Sequence, residues 1–358
     1  MSKRSLTALL LAAVMLSSCG ADSKSSFDKK EQPEKAVATV DADLTLPEEN
    51  SSSGSETSIV TTAAPETVTT TEAVTTTKKP DPEKLKKGVL DGYRFNTAKF
   101  PKKVYSNKKL EKAFKEIDKI CGDYGYDISF VYKNMDTGAE CSFNDYRSYG
   151  CCSTIKAPYC KSLLDSGIDL NKNVKINVIW ENDGGTVASA GYGSTFTARE
   201  LIKLAITESD NSAYYNLINT YGFSCLNELN SKVGANYWLG YGYIFTYCTA
   251  RDLAKQYQDI YKYGANSKRG AWLIRLMQKT DMEDQITAAL KKKYNVSHKY
   301  GSDWDQNCYH DCAICFAESP YVLIIMTDQV PETEDSNEVF RRLAKQFDIV
   351  NEQIYFSK

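Results

Sequence analysis

Strand-like patterns fall at the two ends of the stretch from about residue 96 to 358 and helical patterns between them, and that order restricts the fold more than any other property of the chain. Near its start, Ile128 to Tyr132 is apolar and aromatic, Met135-Asp136-Thr137-Gly138 reads as a turn, and Glu140 to Phe143 can return antiparallel. Near its end come Val296 to Tyr300, Tyr309 to Phe316 and the almost wholly apolar Tyr321 to Thr327, followed by an amphipathic helix from about Asn337 to Phe347. Strands so far apart in sequence bury their faces by sharing one sheet. The sequence therefore predicts an α+β fold, an antiparallel sheet of N- and C-terminal strands packed against a helical subdomain inserted in the middle.

That middle, roughly Ser153 to Ala265, carries its own helix signals. Thr197-Ala198-Arg199-Glu200 fits a capping box ahead of the stripe Leu201, Leu204 and Ala205, and Thr249-Ala250-Arg251-Asp252 opens a helix carrying Leu253, Tyr257 and Ile260. A first helix is read over Leu110 to Ile120 from Leu110, Ala113, Phe114, Ile117 and Ile120.

The first 95 residues contribute no core. Lys3 and Arg4 precede an apolar run from Leu6 to Leu16, too short to span a bilayer, which ends at Ser17-Ser18-Cys19. This resembles the bacterial lipobox, so residues 1–18 read as a signal peptide and Cys19 as the lipidated mature N-terminus, with the protein held outside the cytoplasmic membrane. From Ala21 to about Pro82 the chain is mostly Ser, Thr, Glu, Lys and Pro, and residues 19–95 read as a disordered tether. A net charge of −2 gives neither a nucleic-acid footprint nor a polybasic membrane patch, so small molecules or cell-wall polymers are the expected partners. Of the eleven cysteines, ten remain after Cys19 is set aside. Spacing does not settle whether they form disulfides or serve as buried small hydrophobes, although adjacent Cys151 and Cys152 are poorly placed to pair with each other.

Three short motifs suggest chemistry. Ser153-Thr154-Ile155-Lys156 places a hydroxyl and an amine on one helix face, where a lysine whose pKa is lowered by burial and neighbouring cations can deprotonate the serine. The same pattern at Ser26 to Lys29 and Ser106 to Lys109 lies in polar contexts that hold no geometry. Ser209-Asp210-Asn211 occurs once and reads either as a proton relay with a substrate-binding amide or, equally simply, as a helix stop and cap. Lys-x-Gly recurs in the chain, at Lys232, Lys262 and Lys299 among other places. Lys262-Tyr263-Gly264 reads as a helix C-terminus, whereas Lys299-Tyr300-Gly301 lies on a strand from which a lysine can project over a site and the Ser302 N–H can join that of Ser153 as an oxyanion hole.

In this order the motifs resemble the S-x-x-K, S-D-N and K-T-G set of class A β-lactamases and penicillin-binding proteins, over about residues 96 to 358. The resemblance implies the β-lactamase/transpeptidase-like fold, an acyl-enzyme on Ser153, Lys156 as base, Ser209 and Asn211 in proton relay and substrate binding, and Lys299, Tyr300, Gly301 and Ser302 along the substrate. It implies no cofactor. Two departures bear on activity: no Asp or Glu lies between Glu228 and Asp252 to serve as the loop glutamate that activates the deacylating water, and Tyr300 stands where the family has Thr or Ser. The expected protein is a serine hydrolase acting on a β-lactam or a related acyl or peptidoglycan-peptide substrate. A D,D-peptidase-like or penicillin-binding enzyme with slow deacylation, and a non-catalytic wall-binding lipoprotein, are the rival readings.

Three further features carry plainer readings. Cys308, His310 and Cys312 alternate on one strand face, but two histidines in the whole chain and the family's own strand pattern argue against a metal. His298 reads as a packed strand residue. The aromatic segment Tyr237 to Tyr247 reads mainly as core rather than as a rim for sugar or peptide.

Overall fold

A computed structural model describes residues 107–180, 184–240 and 242–355; the proposed signal, tether and Cys19 lie outside them. Helix α1 (Lys108–Tyr124) leads into strands β1 (Ile128–Asn134), β2 (Glu140–Phe143) and β3 (Ser148–Gly150), after which a 3-10 turn, Cys152–Ile155, runs into α2 (Lys156–Asp165). The middle comprises β4 (Asn173–Lys175), α3 (Thr186–Ala190), β5 (Thr195–Thr197), α4 (Ala198–Thr207), α5 (Asn211–Tyr221) and α6 (Ser224–Val233). It continues through β6 (Tyr247–Thr249), α7 (Ala250–Asn266), α8 (Lys268–Leu276) and α9 (Ile286–Leu290). Strands β7 (Val296–Asp303), β8 (Cys308–Cys315) and β9 (Tyr321–Thr327) and the long helix α10 (Glu334–Tyr355) follow.

The strands from the two ends join in one antiparallel sheet, ordered β2-β1-β9-β8-β7. Strand β9 is apolar throughout because both its faces are covered. Val322, Ile324 and Met326 point into the core shared with the helical subdomain, whereas Tyr321, Leu323 and Ile325 point into a second core with α1 and α10. Each Leu, Ile or Phe fully buried in these layers stabilises the fold by about 1.5–3 kcal/mol. Both predicted capping boxes form: Thr197 accepts from the Glu200 N–H and Thr249 from the Asp252 N–H, with each acid reaching back to its cap residue.

Three expectations change. The middle is not wholly helical, since β4 pairs with β5 and β3 with β6, three-residue ribbons too short to show alternation. Helix α7 does not stop at Gly264 but continues to Asn266. The glycine there marks a close crossing with α8, because a Cβ at 264 would lie 2.5 Å from Ile274 Cγ1. The outer helices also extend beyond their predicted ends, most of all α10. All ten described cysteines are free thiols, and all but Cys152 and Cys225 are buried, which agrees with the small-hydrophobe reading. Among the described residues no helix is long and apolar enough to cross a membrane.

Candidate active site

Where β7 passes the N-terminus of α2, the first and third motifs come into contact. A Cβ at Gly301 would lie 2.9 Å from both the Ser153 backbone nitrogen and Cys152 Cβ, and 3.0 Å from the Thr154 nitrogen. Only glycine permits that approach, which brings the strand bearing Ser302 against the backbone N–H of Ser153. The Ser302 hydroxyl donates to Glu332 Oε1 at 3.1 Å.

The second motif comes from the α4–α5 junction. Ser209 adopts φ 56°, unusual for a residue with a side chain, and the strain accompanies its placement between two lysines. Lys299 Nζ donates to Ser209 Oγ at 2.8 Å and Lys156 Nζ approaches the same oxygen at 3.3 Å. Lys156 also donates to Asn211 Oδ1 at 2.6 Å and to the Ser209 carbonyl. The cap reading of Ser209-Asp210-Asn211 is realised by its middle residue. Asp210 is the helix cap, accepting from the N–H groups of Ala213 at 2.6 Å and Val187 at 2.9 Å, while its neighbours face the lysines.

Lys156 and Lys299 are completely buried. Burial, and then the nearby charge of Lys156, push the Lys299 amine well below the usual lysine range, against the pull of Asp311 and Asp281. Two amines converging on one hydroxyl disfavour carrying two positive charges at once. Tyr300 covers this cation. Its ring centroid lies 4.2 Å from Lys299 Nζ, its backbone carbonyl accepts from the same amine at 3.2 Å, and its hydroxyl hydrogen-bonds Ser209.

Residues 110–353 match the family model described as the β-lactamase enzyme family. The chain belongs to that family. Among solved structures it is similar to a PBP-A variant captured as an acyl-enzyme with penicillin G, at 20% identity and a TM-score of 0.59 over 69% of this chain and 97% of that one. It is also similar to a β-lactamase from Chitinophaga pinensis, at 15% identity and a TM-score of 0.59 over 67% and 98% of the two chains. The extended-spectrum β-lactamase TLA-1 gives 17% identity and a TM-score of 0.59 over 68% and 100%. These structures establish that the fold is the β-lactamase/transpeptidase fold foreseen from the sequence. A comparison with curated protein sequences returns no significant match.

Against this β-lactamase frame the loop between α6 and β6 is unusual. It brings Phe245 to Lys156, with Nζ 5.9 Å from the ring centroid, and Phe245 is held in turn by Tyr214 at 5.4 Å and Trp180 at 5.6 Å between centroids. The acids flanking this loop are committed elsewhere. Asp252 caps α7 and accepts the Asn236 N–H at 2.9 Å, and Glu228 lies on α6 beside a separate surface cleft lined by Lys161 and Lys232. The core reading of Tyr237 to Tyr247 is correct for Tyr237 but not for Trp238, Tyr243 and Tyr247, which are more than half exposed. The irregular loop, with one isolated bridge between Gly240 and Tyr243, cannot turn every ring inward. Phe245 and Trp180 carried no motif. The signal available was negative, a loop without acids.

His298 is a packed strand residue, bonded through Nδ1 to Asp311 at 2.9 Å and through Nε2 to Thr280 at 2.5 Å. The grouping Cys308, His310 and Cys312 is corrected. Cys312 lies in the sheet core with its thiol against Tyr257, and Cys152 takes its place beside Cys308 and His310.

Proposed function

We propose that the protein is a serine hydrolase in which Ser153 forms an acyl-enzyme with a β-lactam or a related acyl or peptide substrate, and in which that acyl-enzyme hydrolyses slowly. The observation that carries the reading is the convergence of Lys156, Ser209, Asn211 and Lys299 one turn from Ser153, whose carbonyl accepts the Lys156 N–H, with Phe245 of an acid-free loop near Lys156. Lys156 takes the Ser153 proton as Oγ attacks the carbonyl. The N–H groups of Ser153 and Ser302 receive the developing oxyanion, and Ser209 hands a proton from the lysine pair to the leaving nitrogen. The loop between Glu228 and Asp252 contains no acid to activate water, so the ester persists. The acyl-enzyme described for the PBP-A relative with penicillin G is consistent with this chemistry.

Tyr300 favours a substrate whose carboxylate is not bound directly by the Lys299 ammonium, because the phenol ring occupies that approach. A peptidoglycan stem peptide is the cell-wall candidate. In the same reading Cys19 carries a lipid that holds the domain outside the cytoplasmic membrane. Labelling with a fluorescent penicillin, beside release of D-alanine from a wall peptide, tests the proposal. Labelling lost in Ser153→Ala supports it. Binding to wall polymer that Ser153→Ala leaves intact, with no labelling and no release by the unaltered protein, would replace it with a purely binding role.

A further inference from the structure

Behind the nucleophile lies a thiol pair that the acylation chemistry does not use. The sulfurs of Cys152 and Cys308 and a ring nitrogen of His310 lie within 4.8 Å of one another. Cys152 immediately precedes Ser153 and adopts φ 46°, a left-handed conformation that aims its side chain at β8 rather than along the nucleophile turn. Cys308 opens β8 and lines a cleft of about 500 Å³ bounded by Tyr149, Gly150, Tyr247, Gln306 and Asp328. From these positions we infer that Cys152 and Cys308 form a redox-active dithiol, a modification site for peroxide in which Cys308 reacts first and Cys152 resolves it to a disulfide.

The surroundings distinguish the two sulfurs. The hydrogen bond from Cys152 first, and that from the Gly150 backbone, hold the Cys308 thiol below its ordinary value despite burial, while the same contact and burial push Cys152 up. A thiolate at Cys308 attacks one peroxide oxygen, forming S–O as O–O breaks, and the hydroxide that leaves takes up the proton the Cys308 thiol gave up. Cys152 sulfur then attacks Cys308 sulfur, forming S–S as S–O breaks, and its proton converts the departing hydroxide to water. Two thiols are oxidised by two electrons and one peroxide is reduced to two waters.

The same trio of side chains has the composition of a zinc or copper site, but the His310 ring is already committed. The Thr327 N–H donates to Nδ1 at 3.1 Å, so Nε2 carries the proton and donates it to the Gly150 carbonyl at 2.8 Å. Neither nitrogen offers a lone pair to a metal without breaking a buried hydrogen bond.

A disulfide here would tie the residue before Ser153 to β8 and draw the Ser153 N–H with it. That consequence for acylation rests on the proposed role of Ser153, whereas the cross-link itself does not. The test is to treat the reduced full-length protein with hydrogen peroxide, cap the remaining thiols with N-ethylmaleimide and map non-reduced peptides by mass spectrometry. The expected result is one cross-link, Cys152 to Cys308, reversed by dithiothreitol and lost in Cys152→Ser and in Cys308→Ser. In Cys152→Ser, Cys308 should instead stop at a sulfenic acid trapped by dimedone, a readout that does not depend on the pair closing. Cross-links scattered among the buried cysteines, no greater reactivity at Cys308 than elsewhere, or stoichiometric zinc that both thiols hold and that blocks oxidation would each overturn the inference. Penicillin labelling of Ser153 should be slower in the oxidised protein and recover on reduction. Absence of labelling in both forms would count against the Ser153 reading and leave the mapped cross-link standing.

Discussion

The two sides of Lys156 are built from opposite materials. On one side, Lys156 itself, Ser209, Asn211 and Lys299 are polar and tightly bonded, the two lysines buried and Ser209 and Asn211 half-buried. On the other, the α6–β6 loop presents Phe245, backed by Trp180 and Tyr214. Burying two lysines and holding Ser209 in a strained conformation costs stability, and such a cluster persists where the surrounding structure fixes it. The aromatic wall carries no such cost, and the loop that forms it contains no acid. In the proposed acyl-transfer cycle the polar wall would form the ester and the apolar one would leave water unactivated.

The largest break in this contrast should come from the polar wall. Lys156→Ala is expected to slow acylation by about 10²-fold to 10⁴-fold, measured as the rate of penicillin labelling, with an unchanged far-ultraviolet spectrum. Gly301→Ala should come next. Its methyl group would meet the Ser153 nitrogen and Cys152 Cβ at 2.9 Å, so the strand must shift, at a cost of about 1–3 kcal/mol in denaturant melts and an acylation rate lowered about 10²-fold. Phe245→Glu sharpens the comparison from the other side by placing a carboxylate near Lys156. The acyl-enzyme lifetime should shorten by roughly 10-fold to 10²-fold while acylation changes less, a split that single-turnover mass spectrometry resolves.

The smallest effect is on stability against pH. Because the Lys299 amine is held well below its unfolded value, the unfolded chain binds more protons between the lowered folded pKa and the ordinary lysine value. Stability contributed through this residue should therefore rise with pH across that window, and the deficit of the native protein relative to Lys299→Met should shrink by up to about 1.4 kcal/mol per pH unit. A difference independent of pH between the two proteins would show that Lys299 titrates normally in the fold.

Much of this arrangement was legible in the chain. The strand at Tyr321 to Thr327 announced a doubly covered centre by its lack of polar positions, and Thr197 and Thr249 announced their helices through local capping that depends on three residues each. Ser153, Lys156, Ser209, Asn211 and Lys299 were readable because each motif carries its own local geometry, although only the fold brings the three motifs to one point. The departures were also readable, as a loop without acids and a tyrosine after Lys299. What the sequence could not show were features created by long-range packing. Phe245 against Lys156 depends on an irregular loop, and Cys152 beside Cys308 joins positions 156 residues apart that no periodicity connects. The ribbons β3–β6 and β4–β5 were missed because three residues are too few to reveal a period of two.

The account stands most directly on the lifetime of the acyl-enzyme, followed by intact-mass spectrometry after mixing the protein with a slight excess of penicillin G. It predicts a single adduct, absent in Ser153→Ala, that forms readily and declines far more slowly than it forms. No adduct, or an adduct that vanishes as fast as it appears while hydrolysed penicillin accumulates, would contradict it.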